Sequence, residues 1–473
     1  MIQPEASPRY RVLLANLNRY DQPYPVYPLS LAYLSAALAE AGHECLLWDA
    51  KMSAETLEEM VRREQPDLIG LSVRNIDNVQ SHNPRSFMQE LIVCCSSLRS
   101  LTKAVLVLGG SGYSVFPREL MAVADADYGV AGEGERALLQ LITALQGGGD
   151  HRKIPGLVWR EADGRVVQAV RSPDSEAFTV KPRHDAGLLN AYTSMGSIPG
   201  VQTQRGCALR CTYCTYPIIE GKRSRYRSGE EVVEEMRHLL AMGVGYTFIV
   251  DSVFNTSREH TLEVCEALAR AELGMEWGCF LRPRNVNREL LQLMKRAGLK
   301  HIEFGSDSLS DPVLRRYAKS FTWEEIRNAS TFAQEMDLHY SHFLIFGGPG
   351  ETPETVEETL AHSLELKGSY FFATIGMRIY PDTPLWRHCA PEAKGERASD
   401  YLLEPRFYIE QPLSVSSLMD RIRRHQQGTN NWMLGDPPPA FAETMDKLRK
   451  RGVRGPMWEY AELMQRFAGA ANP

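Results

Sequence analysis

Three thiols stand close together near the middle of this chain, in Cys207-Ala-Leu-Arg-Cys211-Thr-Tyr-Cys214, set between Gln-Arg-Gly206 and Thr-Tyr-Pro217. Thiolates are favoured ligands of iron–sulfur clusters. A fourth cysteine would close a 4Fe-4S cluster; three leave one iron open to an outside ligand. The CxxxCxxC spacing does not suit zinc, whose sites pair CxxC half-sites with one another or with histidines. Gly206 lets the backbone turn closely into the loop. Tyr213 sets an aromatic ring just before the third thiol.

The elements that must position this loop are βα units on either side of it. Residues 9–146 alternate short apolar runs (11–17, 43–49, 67–73, 104–109, 128–131) with helical stretches (29–41, 54–63, 85–98, 117–123, 136–145). That alternation predicts a Rossmann-like, doubly wound parallel sheet. Ligands on such sheets bind beyond the carboxyl ends of the strands. The residues there are Ser72, Arg74 and Asn75 after the third strand, Gly109, Gly110 and Ser111 after the fourth, and Gly132 and Glu133 after the fifth. Glycines at two strand ends would let a bulky ligand approach the backbone. Their spacing is not GxGxxG, so no dinucleotide fingerprint is met.

Residues 151–192 read as a linker containing a hairpin with an Asp163-Gly164 turn. From 193 to 390 the alternation resumes, with strands at 201–204, 246–250, 276–280, 301–304, 340–346 and 374–379. This predicts a partial (β/α)6, TIM-like barrel with its chemistry at the carboxyl ends of the strands. Asp251, Arg282, Asp307 and the Gly347-Gly-Pro-Gly350-Glu351 turn all fall there. Residues 391–473 lose the alternation and read as a helical cap, with helices at 440–451 and 457–467, over the barrel mouth or the substrate pocket.

Composition narrows the class. The chain has 473 residues, 43% hydrophobic and 24% charged, which suits a globular protein of two or three domains. A net charge of −6 with no basic block argues against nucleic acid. No basic, apolar leader opens the chain, and no run of about 18 apolar residues predicts a membrane span. Nine cysteines, three of them clustered, suit a reducing compartment, so a cytoplasmic location is expected.

The cysteine loop resembles the cluster motif of the radical S-adenosylmethionine (SAM) superfamily. The run from 200 to 385 resembles its core, with Phe304-Gly-Ser-Asp-Ser, Gly347-Gly-Pro-Gly-Glu-Thr and Arg378-Ile-Tyr-Pro-Asp-Thr-Pro as landmarks of the cobalamin-associated branch. Residues 1–150 look like the cobalamin-binding domain that precedes many such cores. The Asp-x-His-x-x-Gly element that supplies a histidine to cobalt is missing, and His43 and His82 do not sit in such a context.

The resemblance implies a 4Fe-4S cluster on Cys207, Cys211 and Cys214, with SAM on the open iron. Tyr213 would lie by its adenine, Asp251 and Asp307 by its ribose or amino group, and Arg282 and Lys319 by its carboxylate. Asp251 and Asp307 also suit helix caps, Lys319 a solvated side chain, and Glu351 a cap for the helix that starts at Pro353. Ser72, Arg74, Asn75, Gly109, Gly110, Ser111, Gly132 and Glu133 would contact cobalamin, and Arg378 and Tyr380 the substrate. No side chain is assigned a catalytic role. The implied reaction is methylation of an unactivated carbon of a small molecule, through methylcobalamin and a 5′-deoxyadenosyl radical. A reductase, flavodoxin or ferredoxin would supply electrons. A cyclisation, rearrangement or oxidation with the same cofactors is the nearest alternative. A cobalamin-binding regulatory or carrier module is the alternative from another class.

Overall fold

The computed structural model describes residues 9–460, apart from 23, 172–177, 179, 428, 430, 437–442, 445–446, 449–450 and 452. Strands β1 (Arg11–Asn16), β2 (Glu44–Asp49), β3 (Leu68–Ser72), β4 (Val105–Gly109) and β5 (Tyr128–Val130) lie parallel in the order β2-β1-β3-β4-β5. Their side chains are buried on both faces, with Val12, Leu13, Leu14 and Ala15 at most 1% exposed, as expected of parallel strands roofed by helices. Strand order reverses between β1 and β3, which opens a crevice at their carboxyl ends.

The hairpin of the expected linker is part of this sheet. Its strands β6 (Leu157–Arg160) and β7 (Val166–Gln168) add antiparallel to the edge of β5. Leu157 and Val158 are fully buried, so the pairing covers an edge that would otherwise present bare amides and carbonyls.

The second domain begins with β8 (Gly200–Val201) and the two-stranded ribbon of β9 (Gln204–Arg205) and β10 (Arg225–Tyr226). Strands β11 (Tyr246–Ile249), β12 (Glu276–Leu281), β13 (Leu299–Asp307), β14 (His339–Phe346) and β15 (Ser369–Ile375) follow. A second ribbon joins β16 (Met377–Arg378) to β17 (Phe407–Tyr408), and β18 (Trp432–Leu434) closes the series. The main sheet is parallel throughout, in the order β18-β15-β14-β13-β12-β11-β8. Within the described residues its outer strands do not meet, so the barrel is incomplete. Helices start sharply behind these strands: Ser228 with Glu231 and Thr322 with Glu325 form capping boxes.

The tail departs from the expected helical cap in two ways. It contributes β18, whose Trp432 stacks on Phe371 with ring centroids 4.7 Å apart. It then runs to the amino ends of the barrel strands, away from the mouth. There Trp458 donates from Nε1 to Glu303 Oε1 at 3.1 Å, and Glu459 lies 3.1 Å from His301. Of the helix expected at 440–451 only scattered residues are described. That at 457–467 is described only as the single turn Met457–Tyr460, and the rest lies outside the described residues.

The two domains share a core. One apolar cluster runs from Tyr113, Phe116 and Leu120 of the first domain to Met377, Ile379 and Trp386 of the second. A separate core site carries a pH prediction. His342 on β14 lies between the rings of Phe304 and Phe371, at 5.2 and 5.7 Å, and its nitrogens meet Ser306 Oγ at 2.7 Å and Ser330 Oγ at 3.1 Å. Burial pushes its pKa down to about 3, against about 6.5 in an unfolded chain. Below pH ~6.5 the unfolded chain therefore binds a proton that the folded one refuses. Stability is full above that pH and falls toward pH 3 by up to about 1.4 kcal/mol per unit. Urea midpoints at pH 7 and pH 5 should differ less for His342→Gln than for the native chain. Equal differences would mean that this histidine is not the titrating group.

Candidate active site

The cysteine loop is held from both sides by groups that are not thiols. At its entry, Asp251 at the end of β11 accepts from Thr203 N at 2.7 Å, Thr203 Oγ1 at 2.6 Å and Gln204 N at 3.1 Å. Gly206 has φ +90°, and a Cβ there would come within 2.1 Å of the Arg223 carbonyl oxygen, so no side chain fits. Cys207 N donates to Gly221 O at 3.0 Å. Further along, Thr212 N donates to Tyr317 O at 3.1 Å, Thr212 Oγ1 to Arg316 O at 2.9 Å, and Leu385 N to Thr212 O at 2.9 Å.

Cys207 is buried, and Cys211 and Cys214 are half-buried. Charge on Cys207 raises the pKa of both Cys211 and Cys214, and charge on Cys211 raises that of Cys214. Burial is the larger effect, and it pushes Cys211 up and Cys214 up to about 12. Iron must therefore displace their protons on binding. No three of the described His, Cys, Asp or Glu side chains converge on the position of one metal ion. Three thiols in one loop suit a cluster, in which each thiolate takes its own iron.

Next to the thiols is a buried triad. The Tyr213 hydroxyl donates to Asp307 Oδ2, and the Lys319 ammonium pairs with the same oxygen. Lys319 also lies 5.6 Å from the Tyr213 ring centroid. Asp307 has φ +61°, at a point where the register between β13 and β14 shifts. Such irregularities re-aim a side chain, and this one turns the carboxylate toward the loop. Lys319 is thus no solvated lysine, and Asp307 caps no helix. Arg282 lies at the end of β12. Its Nη1 donates to Ser320 Oγ and its Nη2 to Thr256 O, both at 3.3 Å, while its buried Nε has no partner. Burial lowers its pKa, and the thiols of Cys207 and Cys211 lie within its electrostatic reach. An orphaned guanidinium nitrogen beside the thiols fits the carboxylate of a bound amino acid such as SAM.

Several expected contacts belong to the protein itself. Asp251, read as a SAM contact, is fully buried, and both its oxygens are engaged by Thr203 and Gln204, so it positions the loop. Glu351 caps no helix, because Thr352 does so. It folds back on Gly347 N, its Oε1 is unpartnered, and burial raises its pKa to about 8. Arg378, read as a substrate contact, is 4% exposed. Its Nε donates to Asp77 Oδ2 at 2.9 Å, Nη1 to Ile379 O at 2.9 Å, and Nη2 to Tyr401 O. It is a buried strap between the domains. Tyr380 packs beneath Arg378, 5.0 Å away, and against Phe116.

In the first domain a cleft of about 1150 Å³ opens at the carboxyl ends of β1, β2 and β3. That exceeds the roughly 300–1,000 Å³ of ordinary small-molecule pockets and suits a bulky ligand. Ser72, Arg74 and Asn75 line it. Gly109, Gly110, Ser111, Gly132 and Glu133 are not among its lining residues. A Cβ on Gly110 would meet Val73 O at 2.6 Å, and one on Gly132 would meet the Arg171 guanidinium at 2.5 Å. The missing side chains there make room for protein. Gly109 O accepts from Val73 N at 2.8 Å, and Ser111 Oγ donates to Arg74 O at 3.2 Å.

Glu133 is half of an interdomain clamp. It pairs with Arg205 at 3.0 Å and with Arg225, while Glu135 holds Arg205 at 2.7 Å. The guanidinium of Arg205 is also stacked 4.0 Å from the Phe178 ring. These partners escaped the sequence reading, although Arg205 stands two residues before Cys207.

Arg74 is accessible, yet enclosed by protein. Burial lowers its pKa, and the phenols of Tyr216, Tyr24 and Tyr192 lie within its electrostatic reach. Its Nη1 donates to Asn75 Oδ1 at 3.0 Å. No histidine is among the residues lining the cleft. His43 packs on Tyr10 at the amino edge of the sheet, and His82 lies against Gly435.

The B12 binding domain family matches residues 21–142, and the Radical SAM superfamily matches residues 201–362. The chain thus carries a B12-binding domain followed by a radical SAM domain. This radical SAM chain is 25% identical over 455 residues to the tryptophan 2-C-methyltransferase of Streptomyces laurentii, covering 82% of this chain and 75% of that one. It is 27% identical over 455 residues to the anaerobic magnesium-protoporphyrin IX monomethyl ester cyclase of Rubrivivax gelatinosus, covering 90% and 77%. Its fold is shared with TsrM, a radical S-adenosylmethionine methyltransferase from Kitasatospora setae solved with cobalamin and a 4Fe-4S cluster. The TM-score is 0.86 at 23% identity, covering 98% of this chain and 99% of that one. Among the described residues no helix is long and apolar enough to cross a membrane.

Proposed function

We propose that this radical SAM enzyme methylates an unactivated carbon of a small molecule, a specialised metabolite or lipid precursor, using cobalamin and SAM. The observation that carries the reading is the meeting of the two sites. Arg74 of the cobalamin-sized cleft and Tyr216, two residues past Cys214, lie within each other's electrostatic reach across the domain boundary. When bound, the cluster and SAM supply a 5′-deoxyadenosyl radical, and cobalamin supplies the methyl group.

The chain's own residues do the rest. Cys207, Cys211 and Cys214 hold the cluster, and Arg282 offers its free Nε to the SAM carboxylate. Tyr213, Asp307 and Lys319 form a polar wall beside that position, at which Asp307 can accept from SAM's ammonium in place of Lys319. Arg74 presents a cation, and no imidazole, toward the first-domain ligand. The shared core keeps the domains from parting and bulk water out. Electrons come from a small carrier protein or reductase.

The test is anaerobic turnover of reconstituted enzyme with cobalamin, SAM, a reductant and a small-molecule extract. S-adenosylhomocysteine and 5′-deoxyadenosine should rise together, in comparable amounts, and only with extract. Deoxyadenosine alone would favour a ring-forming or rearrangement reaction, the reading that similarity to the R. gelatinosus cyclase supports. Failure of the loaded protein to retain cobalamin would end the methylation proposal.

A further inference from the structure

The parallel strands of the second domain present two faces, and helices cover the outer one. On β13, Ile302 and Phe304 pack into the apolar core on that side, and Ser306 bonds His342 there. The alternate residues Glu303 and Gly305 therefore stand on the inner face of the open barrel. Phe280 of β12, Phe343 of β14 and Phe372 of β15 share that face and are half-buried. Phe343 and Phe372 stack 4.7 Å apart at 14°, and Phe280 meets Phe343 edge-on at 6.2 Å. Gly305 lies on the strand between Phe280 and Phe343, and a Cβ built on it meets no heavy atom within 4 Å. Glycine here leaves a slot beside the rings that the protein does not fill.

The slot has a polar floor and a polar top. At the floor, Glu303 and Ser341 are partners in register on neighbouring strands. Both are buried; Ser341 Oγ has no partner, and Trp458 Nε1 takes Oε1 of Glu303 and leaves Oε2 for an occupant. At the top, Lys319 Nζ donates to Gly305 O at 3.4 Å and pairs with Asp307 in the wall beside the thiols. The strand rises about 13 Å from Glu303 to Asp307, long enough for a fused two-ring system. No lysine or arginine stands among the inner-face residues between floor and top, so a carboxylate or phosphate there would be buried without a partner.

We infer that this slot holds a planar, uncharged aromatic part of the substrate whose deep edge donates an N–H or O–H to Glu303, an inference that rests on the methylation reading above. Flat rings gain from stacked and edge-on contact with the three phenylalanines, and the buried carboxylate and hydroxyl gain partners. The opposite edge is left beside Asp307 and the thiols.

The experiment uses the full chain with cluster and cobalamin reconstituted, at pH 8, where Glu303 is ionised although burial pushes its pKa up to about 7. Equilibrium dialysis measures the binding of indole, of benzofuran (the same shape without the donor) and of cyclohexanol (a donor without the plane). The native protein should hold indole about 10-fold tighter than benzofuran, and cyclohexanol least. Gly305→Leu puts a side chain into the slot; it should weaken indole by about 10-fold or more, keep the native iron and cobalamin contents, and lose the extract-dependent rise in 5′-deoxyadenosine. Glu303→Gln keeps its one oxygen for Trp458 and turns its amide N–H toward the slot, so benzofuran should draw level with indole or pass it. Indole bound equally by native and Gly305→Leu protein, or a preference for indole that survives Glu303→Gln, would overturn the slot. Binding as expected in a protein that forms no S-adenosylhomocysteine from extract would overturn the methylation reading and leave the slot standing.

Discussion

Cys211→Ala protein, reconstituted anaerobically, should hold less than a tenth of the native iron and sulfide and form no detectable 5′-deoxyadenosine. The loss should exceed the 10–100-fold in affinity that removal of a mere outer partner of a metal site costs, because a direct iron ligand is gone. The variant remains folded on physical grounds. Cys211 is half-buried, the bond its carbonyl accepts from Cys214 N at 3.3 Å is kept by alanine, and the loop's anchors are Asp251 at one end and Thr212 at the other. The control is Cys279→Ala. That thiol is fully buried in the barrel core, where burial drives its pKa far up, so it serves as a small apolar group. Its loss should cost stability, on the order of 1 kcal/mol, and leave iron content unchanged. Full iron and full product in Cys211→Ala would refute the cluster site; loss of iron in Cys279→Ala would show that the count of ligands is wrong.

Asp77→Ala should lower stability by about 3–5 kcal/mol, the usual cost of leaving one member of a buried ion pair without its partner. Asp77 and Arg378 have side chains 0% and 2% exposed, and they lie 301 residues apart in sequence. With Asp77 gone, the Arg378 guanidinium keeps neutral partners among the described residues, the carbonyls of Ile379, Tyr401 and Arg406 and the nearby rings of Phe116, Tyr380 and Phe407. Asp77→Leu combined with Arg378→Met should recover most of the loss, since apolar residues of similar size often replace such pairs at little cost. Denaturant midpoints measure both. Were Arg378 a substrate contact, Arg378→Met would raise KM and leave the midpoint unmoved; the expected result is the reverse. The pair bridges the domains, so a second, earlier transition in Asp77→Ala would report their separation before global unfolding.

The sequence alone determined that three thiols stand together in one loop, that two βα regions follow one another, and that the second is an open parallel barrel. These are local matters. Three thiols within eight residues must share a neighbourhood in any fold, and apolar runs alternating with amphipathic stretches impose strands and helices before any long-range contact is made. Ser72, Arg74 and Asn75 were legible for a related reason, since a parallel strand delivers its next residues to the ligand edge of the sheet.

Tertiary structure decided what the remaining polar residues do. Glu133, Asp251 and Arg378 each stand at a strand end, where sequence reasoning expects a ligand. Each is instead satisfied by the protein, through Arg205 and Arg225, through Thr203 and Gln204, and through Asp77. The partners lie between 47 and 301 residues away, and no pattern along the chain marks them. The hairpin that extends the first sheet, the late strand β18 and the tail at the barrel's amino end were hidden for the same reason. Which edges and charges are covered depends on how the domains dock, and a buried charge must find its opposite wherever docking has placed one.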